Sequence, residues 1–91
     1  MEVTVRFLGP FEQYSTQREL PLDLPEDATV GVAMQALGTQ LGEAFQEEVL
    51  NRLSQVRRMV LVNGASLLAR GWDTRLAEGD TIVLVPPTAG G

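Results

Sequence analysis

Thr81-Ile82-Val83-Leu84-Val85-Pro86-Pro87-Thr88-Ala89-Gly90-Gly91 closes the sequence. Its first five residues read as a buried strand. Val83 and Val85 share one face, Ile82 and Leu84 the other. One set must meet a helix; the other, with Leu61 or Val60, is expected to leave an apolar patch beside the segment that follows. The two prolines fix φ near about −65° and remove two amide donors. The residue before a proline is pushed to extended geometry. The chain is therefore expected to leave the sheet stiff and straight. Thr88 and Ala89 are small, and Gly90 and Gly91 have no side chain to hinder passage through a narrow channel.

Upstream, Glu78-Gly79-Asp80 is a turn, with Gly79 at positive φ and Asp80 as its local hydrogen-bond partner. Met59-Val60-Leu61-Val62 is a continuous apolar run, expected to be a strand buried on both faces. Asn63-Gly64 ends it with strong turn chemistry, and Ser66-Leu67-Leu68 is a candidate short strand. Val30, Met34, Leu37 and Leu41 fall at helical spacing behind the candidate caps Asp27 and Thr29. Gly31, Gly38 and Gly42 each weaken that helix by up to about 1 kcal/mol, so it depends on packing against a sheet. Phe45, Val49, Leu53 and Val56 predict a second helix, with Glu48 and Arg52 in the favourable order for an ion pair and Gly42 separating the two helices.

At the other end, Val3-Thr4-Val5-Arg6-Phe7-Leu8 alternates with strand period, and Gly9-Pro10 breaks it. Leu20, Leu22 and Leu24 alternate again around Pro21, which confines this strand to an edge. The order is strand, strand, helix or two, strand, short strand, strand. This is an α+β pattern: a mixed sheet of about four to five strands, covered on one face by one or two helices. The first and last strands lie parallel at its centre, the ubiquitin-like β-grasp arrangement. Residues 1–85 are expected to form this domain and 86–91 an extended tail.

Composition narrows the chemistry. The 91 residues make one domain, with net charge −5 from twelve acidic residues and seven arginines. There is no Cys, His or Lys, so the commonest nucleophiles, bases and soft ligands are missing. Disulfides are excluded. No metal-ligand spacing is present, and none of the acidic residues follows a calcium-loop pattern. No basic stripe suggests nucleic acid as a partner. No apolar run approaches a membrane span, and no signal-peptide pattern opens the sequence, so the expectation is a cytoplasmic protein. In a chain so short of reactive side chains, the glycine carboxylate at Gly91 is the best candidate for a reacting group.

Val62-Asn63-Gly64, Leu76-Ala77-Glu78-Gly79-Asp80 and Ile82-Val83-Leu84-Val85-Pro86-Pro87-Thr88-Ala89-Gly90-Gly91 resemble the C-terminal half of the ubiquitin-like sulfur carriers. The nearest likeness is to the small subunit of molybdopterin synthase. The resemblance covers the whole chain in layout and about residues 60–91 in motif. It implies that Gly91 cycles between carboxylate, acyl-adenylate and thiocarboxylate, with Gly90, Ala89 and Thr88 threading into partners. It also implies two partners: an adenylyltransferase of the ubiquitin-activating type, which uses ATP and Mg, and an acceptor enzyme such as the molybdopterin synthase large subunit. The chain itself is then a co-substrate that binds no cofactor. Two departures stand out. Val85 occupies a position that is often aromatic in the molybdopterin small subunit, and Glu43 to Arg58 is longer than in the shortest relatives. Carriers for thiamin, cysteine or other products therefore stay open.

Two readings of other classes remain beside this one. A protein modifier would join Gly91 to target lysines, although a lysine-free chain cannot build lysine-linked chains of itself. A β-grasp binding module would carry an inert tail. The residues expected to meet partners are Leu61, Val83, Val85, Pro86 and Pro87. Trp72 reads as a cover over one end of the core, with a partner anchor as the alternative. Arg57-Arg58 and Glu47-Glu48 read as solvated surface, although the arginine pair could steer an acidic partner or a nucleotide.

Overall fold

The computed structural model describes residues 1–67 and 70–86. Strand β1 (Glu2–Phe7) buries Val3, Val5 and Phe7 on one face, as the alternation requires. It turns at Gly9 into a 3-10 segment, Gly9–Tyr14, whose Phe11 is buried. Strand β2 (Glu19–Asp23) returns antiparallel and pairs Val3 with Leu22 and Val5 with Leu20. It lies at the sheet edge, where Pro21 sits exposed opposite Thr4.

Helix α1 (Val30–Leu41) starts at Thr29, whose hydroxyl accepts from the Val32 amide at 3.2 Å. Val30, Ala33, Met34 and Leu37 are buried against the sheet. Gly42, at φ +99°, ends α1 and opens α2 (Glu43–Glu48).

The single second helix expected over 45–56 is not what forms. After α2, the chain makes a 3-10 turn at Leu50–Arg52, a one-turn α3 (Leu53–Val56) and a second 3-10 turn at Arg57–Met59. Phe45, Val49 and Val56 still reach the core, and Leu53 packs partly against it. Burial rather than helical continuity holds these residues in place. The break lies between Glu48 and Arg52, and these two side chains make no ion pair within 4 Å.

Strands β3 (Val60–Val62), β4 (Ala65–Ser66) and β5 (Thr81–Leu84) complete a five-stranded sheet in the order β2-β1-β5-β3-β4. The β1–β5 pair is parallel and the others are antiparallel. The first and last strands are neighbours at the centre, as expected. Strands β3 and β5 are not buried on both faces. Val60, Val62, Ile82 and Leu84 face the core, while Leu61, Thr81 and Val83 are half-buried on the other side. The helices cover only one face. The short strand also differs from expectation: Leu67 turns out of it into the core, and Leu68 lies outside the described residues.

Candidate functional site

The site begins where β5 ends. Its register with β1 pairs Phe7 with Leu84, and its register with β3 pairs Val60 with Leu84. All three strands stop at this level, and two single backbone bonds carry the pairing one step further. The Leu8 amide donates to the Leu84 carbonyl at 3.0 Å, and the Val85 amide donates to the Met59 carbonyl at 2.8 Å. Val85 is thus held on both sides before the prolines start. Pro86 is half-buried and lies against Gly9, whose φ is +58°. A Cβ on Gly9 would come within 3.0 Å of Pro86 Cγ. Gly9 serves two purposes: it takes a backbone conformation disfavoured for other residues, and it leaves room for the proline ring. Pro87, Thr88, Ala89, Gly90 and Gly91 lie outside the described residues.

Beside this root runs the uncovered sheet face. Leu61 and Val83 are register partners, and Arg6 flanks Val83 from β1. Leu61, Val83 and Val85 are all half-buried, so they form an apolar stripe that leads to Pro86. Four of the five residues expected to meet partners (Leu61, Val83, Val85 and Pro86) are therefore brought together.

The opposite end of the sheet is held by hydrogen bonds between two turns. Asn63 and Gly64 both have positive φ, 52° and 84°, as a two-residue hairpin turn requires. The Asn63 side-chain amide donates to Asp80 Oδ1 at 2.9 Å, and its oxygen accepts from the Thr81 amide at 2.9 Å. Asp80 Oδ2 accepts from the Ala77 amide at 2.8 Å. Gly79, at φ +84°, donates its amide to the Glu2 carbonyl at 2.9 Å. This network fixes where β5 starts relative to β1 and β3, and so where it ends.

The remaining candidates sit elsewhere. Trp72 is half-buried against the core, and its carbonyl accepts from the Gly31 amide at 2.8 Å at the start of α1. It also lines an open groove of about 520 Å³ with Val32, Gln35 and Leu53 on the helical side. Glu47 and Glu48 are exposed. Among the described residues, no group of three or more acidic side chains could hold a metal ion. Nor is any helix among them long and apolar enough to cross a membrane. Tyr14 packs edge-on against Phe45 with ring centroids 5.5 Å apart. Burial, reinforced by the Glu48 carboxylate, pushes its phenol above the ordinary tyrosine range.

Sequence reasoning missed the seat that Gly9 gives Pro86. It took Gly9-Pro10 only as a break after a strand. The contact becomes visible once β1 and β5 are placed parallel and in register, because Gly9 then falls opposite Pro86.

A family model described as the ThiS family matches residues 5–91. The chain belongs to that family. Small archaeal modifier protein 3 of Haloferax volcanii is 31% identical to this chain, over 100% of both. Among solved structures, a protein assigned as molybdopterin converting factor subunit 1 of Pyrococcus furiosus is similar, with 27% identity and a TM-score of 0.78 over 96% of this chain and 98% of that one. So is the complex of subunits 1 and 2 of the molybdopterin-converting factor of Helicobacter pylori, at 26% identity and a TM-score of 0.57 over 100% of both chains. The ThiS assignment and these neighbours make this a ubiquitin-like β-grasp protein. The match extends through the diglycine.

Proposed function

We propose that this ThiS-family protein is a sulfur carrier whose Gly91 carboxylate is the reacting group. A carboxylate is a poor electrophile. An activating enzyme of the ubiquitin-activating type, holding ATP and Mg, would join it to AMP and release pyrophosphate. A hydrosulfide-level nucleophile would then attack the acyl carbon, expel AMP and leave a thiocarboxylate. That soft nucleophile would deliver its sulfur inside an acceptor enzyme. None of these steps asks for a side chain from this protein, in keeping with the absence of Cys, His and Lys. The chain is then a cytoplasmic co-substrate with no cofactor of its own.

The observation that carries this reading is the mount of the tail. A central strand, held at Leu84 and Val85 by both neighbours, feeds Pro86 into a seat made by Gly9. In sequence, Pro87 follows, whose ring fixes φ, and then the small residues Thr88, Ala89, Gly90 and Gly91. Molybdopterin synthesis is the favoured destination, supported by the likeness to the converting-factor subunit of Pyrococcus furiosus. In that pathway the acceptor would be the large synthase subunit, which would dock on Leu61, Val83, Val85, Pro86 and Pro87.

A second reading is favoured by the 31% identity, over the full length of both, with a small archaeal modifier protein. Here the same adenylate would pass to lysines of target proteins. One experiment separates the two. The protein is incubated with the activating enzyme, ATP and sulfide, and its intact mass is measured in the presence and absence of a cell extract. Replacement of one oxygen by sulfur, abolished by deletion of Gly91, supports the carrier. Covalent adducts on extract proteins without that exchange support the modifier. No change of either kind overturns both.

A further inference from the structure

The charges on this protein are sorted along the sheet. Glu2, Asp23, Glu26, Asp27, Glu78 and Asp80 gather at the end where β1 and β5 begin. There, Glu2 pairs with Asp23, and the Thr4 amide donates to the Asp80 carbonyl. At the tail end acids and arginines are mixed, and Glu48 and Arg52 both act on Tyr14. Arg18 lies 3.8 Å from Glu12, and Arg6 is the register partner of Glu19. Among the described residues, Arg57 and Arg58 have no acidic partner within 4 Å, as is also true of Arg6, Arg52, Arg70 and Arg75. The backbone bond from Val85 to Met59 places this pair directly beside the root of the tail. The Nε of Arg57 is buried and has no hydrogen-bond partner. A buried unpaired donor costs about 1–3 kcal/mol, so a shift of the Arg57 side chain that brings this group to an acceptor is favoured.

We infer that Arg57 and Arg58 form a basic lip at the tail root that receives carboxylates on the rim of the activating enzyme. The inference rests on the reading of Gly91 as the reacting group. It commits to the activating enzyme because that enzyme must admit the tail whether the product is a thiocarboxylate or a conjugate. Distance decides which charge such a partner feels. The six residues of β1 span about 16 Å at roughly 3.3 Å per residue. That exceeds the screening length of about 8 Å at physiological salt. A protein approaching the tail end therefore meets the local charges there, with Arg57 and Arg58 nearest the root, rather than the protein's net charge of −5. Arg57, half-buried beside the root, offers a guanidinium that gains by reaching an acceptor, and the exposed Arg58 offers a steering charge. The apolar stripe of Leu61, Val83 and Val85 leads to the same root and would supply further contact area.

The test is ATP–pyrophosphate exchange catalysed by the activating enzyme and dependent on this protein, followed across ionic strength. Arg57→Ala, Arg58→Ala and the double variant are compared with Arg75→Ala, which removes the same charge from the segment bridged to Thr29. Thermal unfolding checks that each variant is folded. The expected result is a fall of roughly ten-fold in kcat/KM for the double variant at low salt, with the gap closing at high salt and kcat nearly unchanged. Arg75→Ala should match the parent. Normal exchange by the parent with equal values for the lip variants overturns the lip alone. So does an equal loss in Arg75→Ala. No exchange by the parent with any activating enzyme overturns the reading of Gly91 and the lip with it.

Discussion

The Asn63 side-chain amide donates to Asp80 Oδ1 at 2.9 Å across 17 positions of sequence. The bond ties the β3–β4 hairpin to the turn that launches β5. The bond is open to solvent, with Asn63 exposed and Asp80 half-buried, yet both residues have other duties. The Asn63 oxygen holds the Thr81 amide, and Asp80 Oδ2 holds the Ala77 amide. Losing either residue leaves backbone donors to find water at the start of the central strand. Asn63→Ala and Asp80→Ala are each expected to destabilise the protein by about 1–2 kcal/mol. Because the two share a network, the double variant should lose at least about 0.5 kcal/mol less than the sum of the singles. Urea unfolding of the four proteins measures this. Strict additivity would show that the two turns are held independently.

Gly9 should be the most sensitive position at the tail root. Its φ of +58° disfavours any side chain, and a Cβ would press on Pro86 Cγ. The backbone term alone costs about 1–2 kcal/mol. Gly9→Ala is therefore expected to lower stability by at least that amount and to shift the tail. If adenylation of Gly91 depends on this seat, exchange activity should fall further than the loss of folded protein explains. A variant that unfolds more readily but is adenylated normally while folded would remove the seat from the functional argument.

Val83 tests the uncovered sheet face. It is half-buried between Arg6 and Leu61, away from the core. Val83→Ser should cost no more than about 1 kcal/mol, the range of strand preferences at such positions. Its effect on a partner should be larger, with KM for the activating or acceptor enzyme rising by roughly ten-fold and kcat little changed. Ile82→Ser, one residue away but facing the core, should instead destabilise the protein strongly. If Val83→Ser binds as the parent does, the stripe is not an interface.

Tyr14 sets the alkaline limit. It is the only tyrosine, and there is no Lys or Cys to titrate beside it. Its phenol is raised in the folded state by burial and then by Glu48. A raised folded value means that the unfolded chain gives up its proton first. The stabilisation is complete below the ordinary tyrosine value of about 10 and is lost as pH climbs through the folded value. Stability should therefore fall above pH of about 10 in the parent, and the fall should be flatter in Tyr14→Phe. Denaturant titrations at several alkaline pH values check this. An equally steep fall in Tyr14→Phe would assign the alkaline limb to another group.

Most of the architecture was legible because periodicity reports which side of an element is wet. Val3, Val5 and Phe7 alternate, Val30, Met34 and Leu37 repeat at helical spacing, and each set is buried where its period places it. Pro21 announced an edge strand, and Asn63-Gly64 a tight turn. What escaped depends on neighbours distant in sequence. Met59-Val60-Leu61-Val62 reads as buried on both sides, because an apolar run cannot report that the helices cover one face only. Phe45 to Val56 reads as one helix, because its apolar spacing survives the interruption that packing imposes between α2 and α3. For the site, the sequence pointed to the tail and to the stripe of Leu61, Val83 and Val85. The seat at Gly9 and the unpaired Nε of Arg57 are products of register and packing, which leave no local signal.

Gly38 shows how packing reverses a local preference. In a helix interior Gly is about 0.8–1 kcal/mol worse than Ala, so Gly38→Ala should stabilise α1 on propensity alone. Gly38 is instead buried where α1 meets the segment after α2. A Cβ there would run into Leu50 Cδ1 and would lie 3.2 Å from Gln46 Cγ. The Gln46 amide also donates to the Gly38 carbonyl at 2.8 Å, so the corner has a polar tie to lose. Overpacking of this kind costs about 1–3 kcal/mol, which outweighs the gain in propensity. Gly38→Ala is expected to destabilise the protein by roughly 1 kcal/mol, and Gly38→Ala with Leu50→Ala should recover the clash term while paying for the lost leucine. Urea midpoints of the two single variants and the double variant resolve the two contributions. Stabilisation by Gly38→Ala alone would mean that Leu50 swings aside freely and that helix propensity governs this corner.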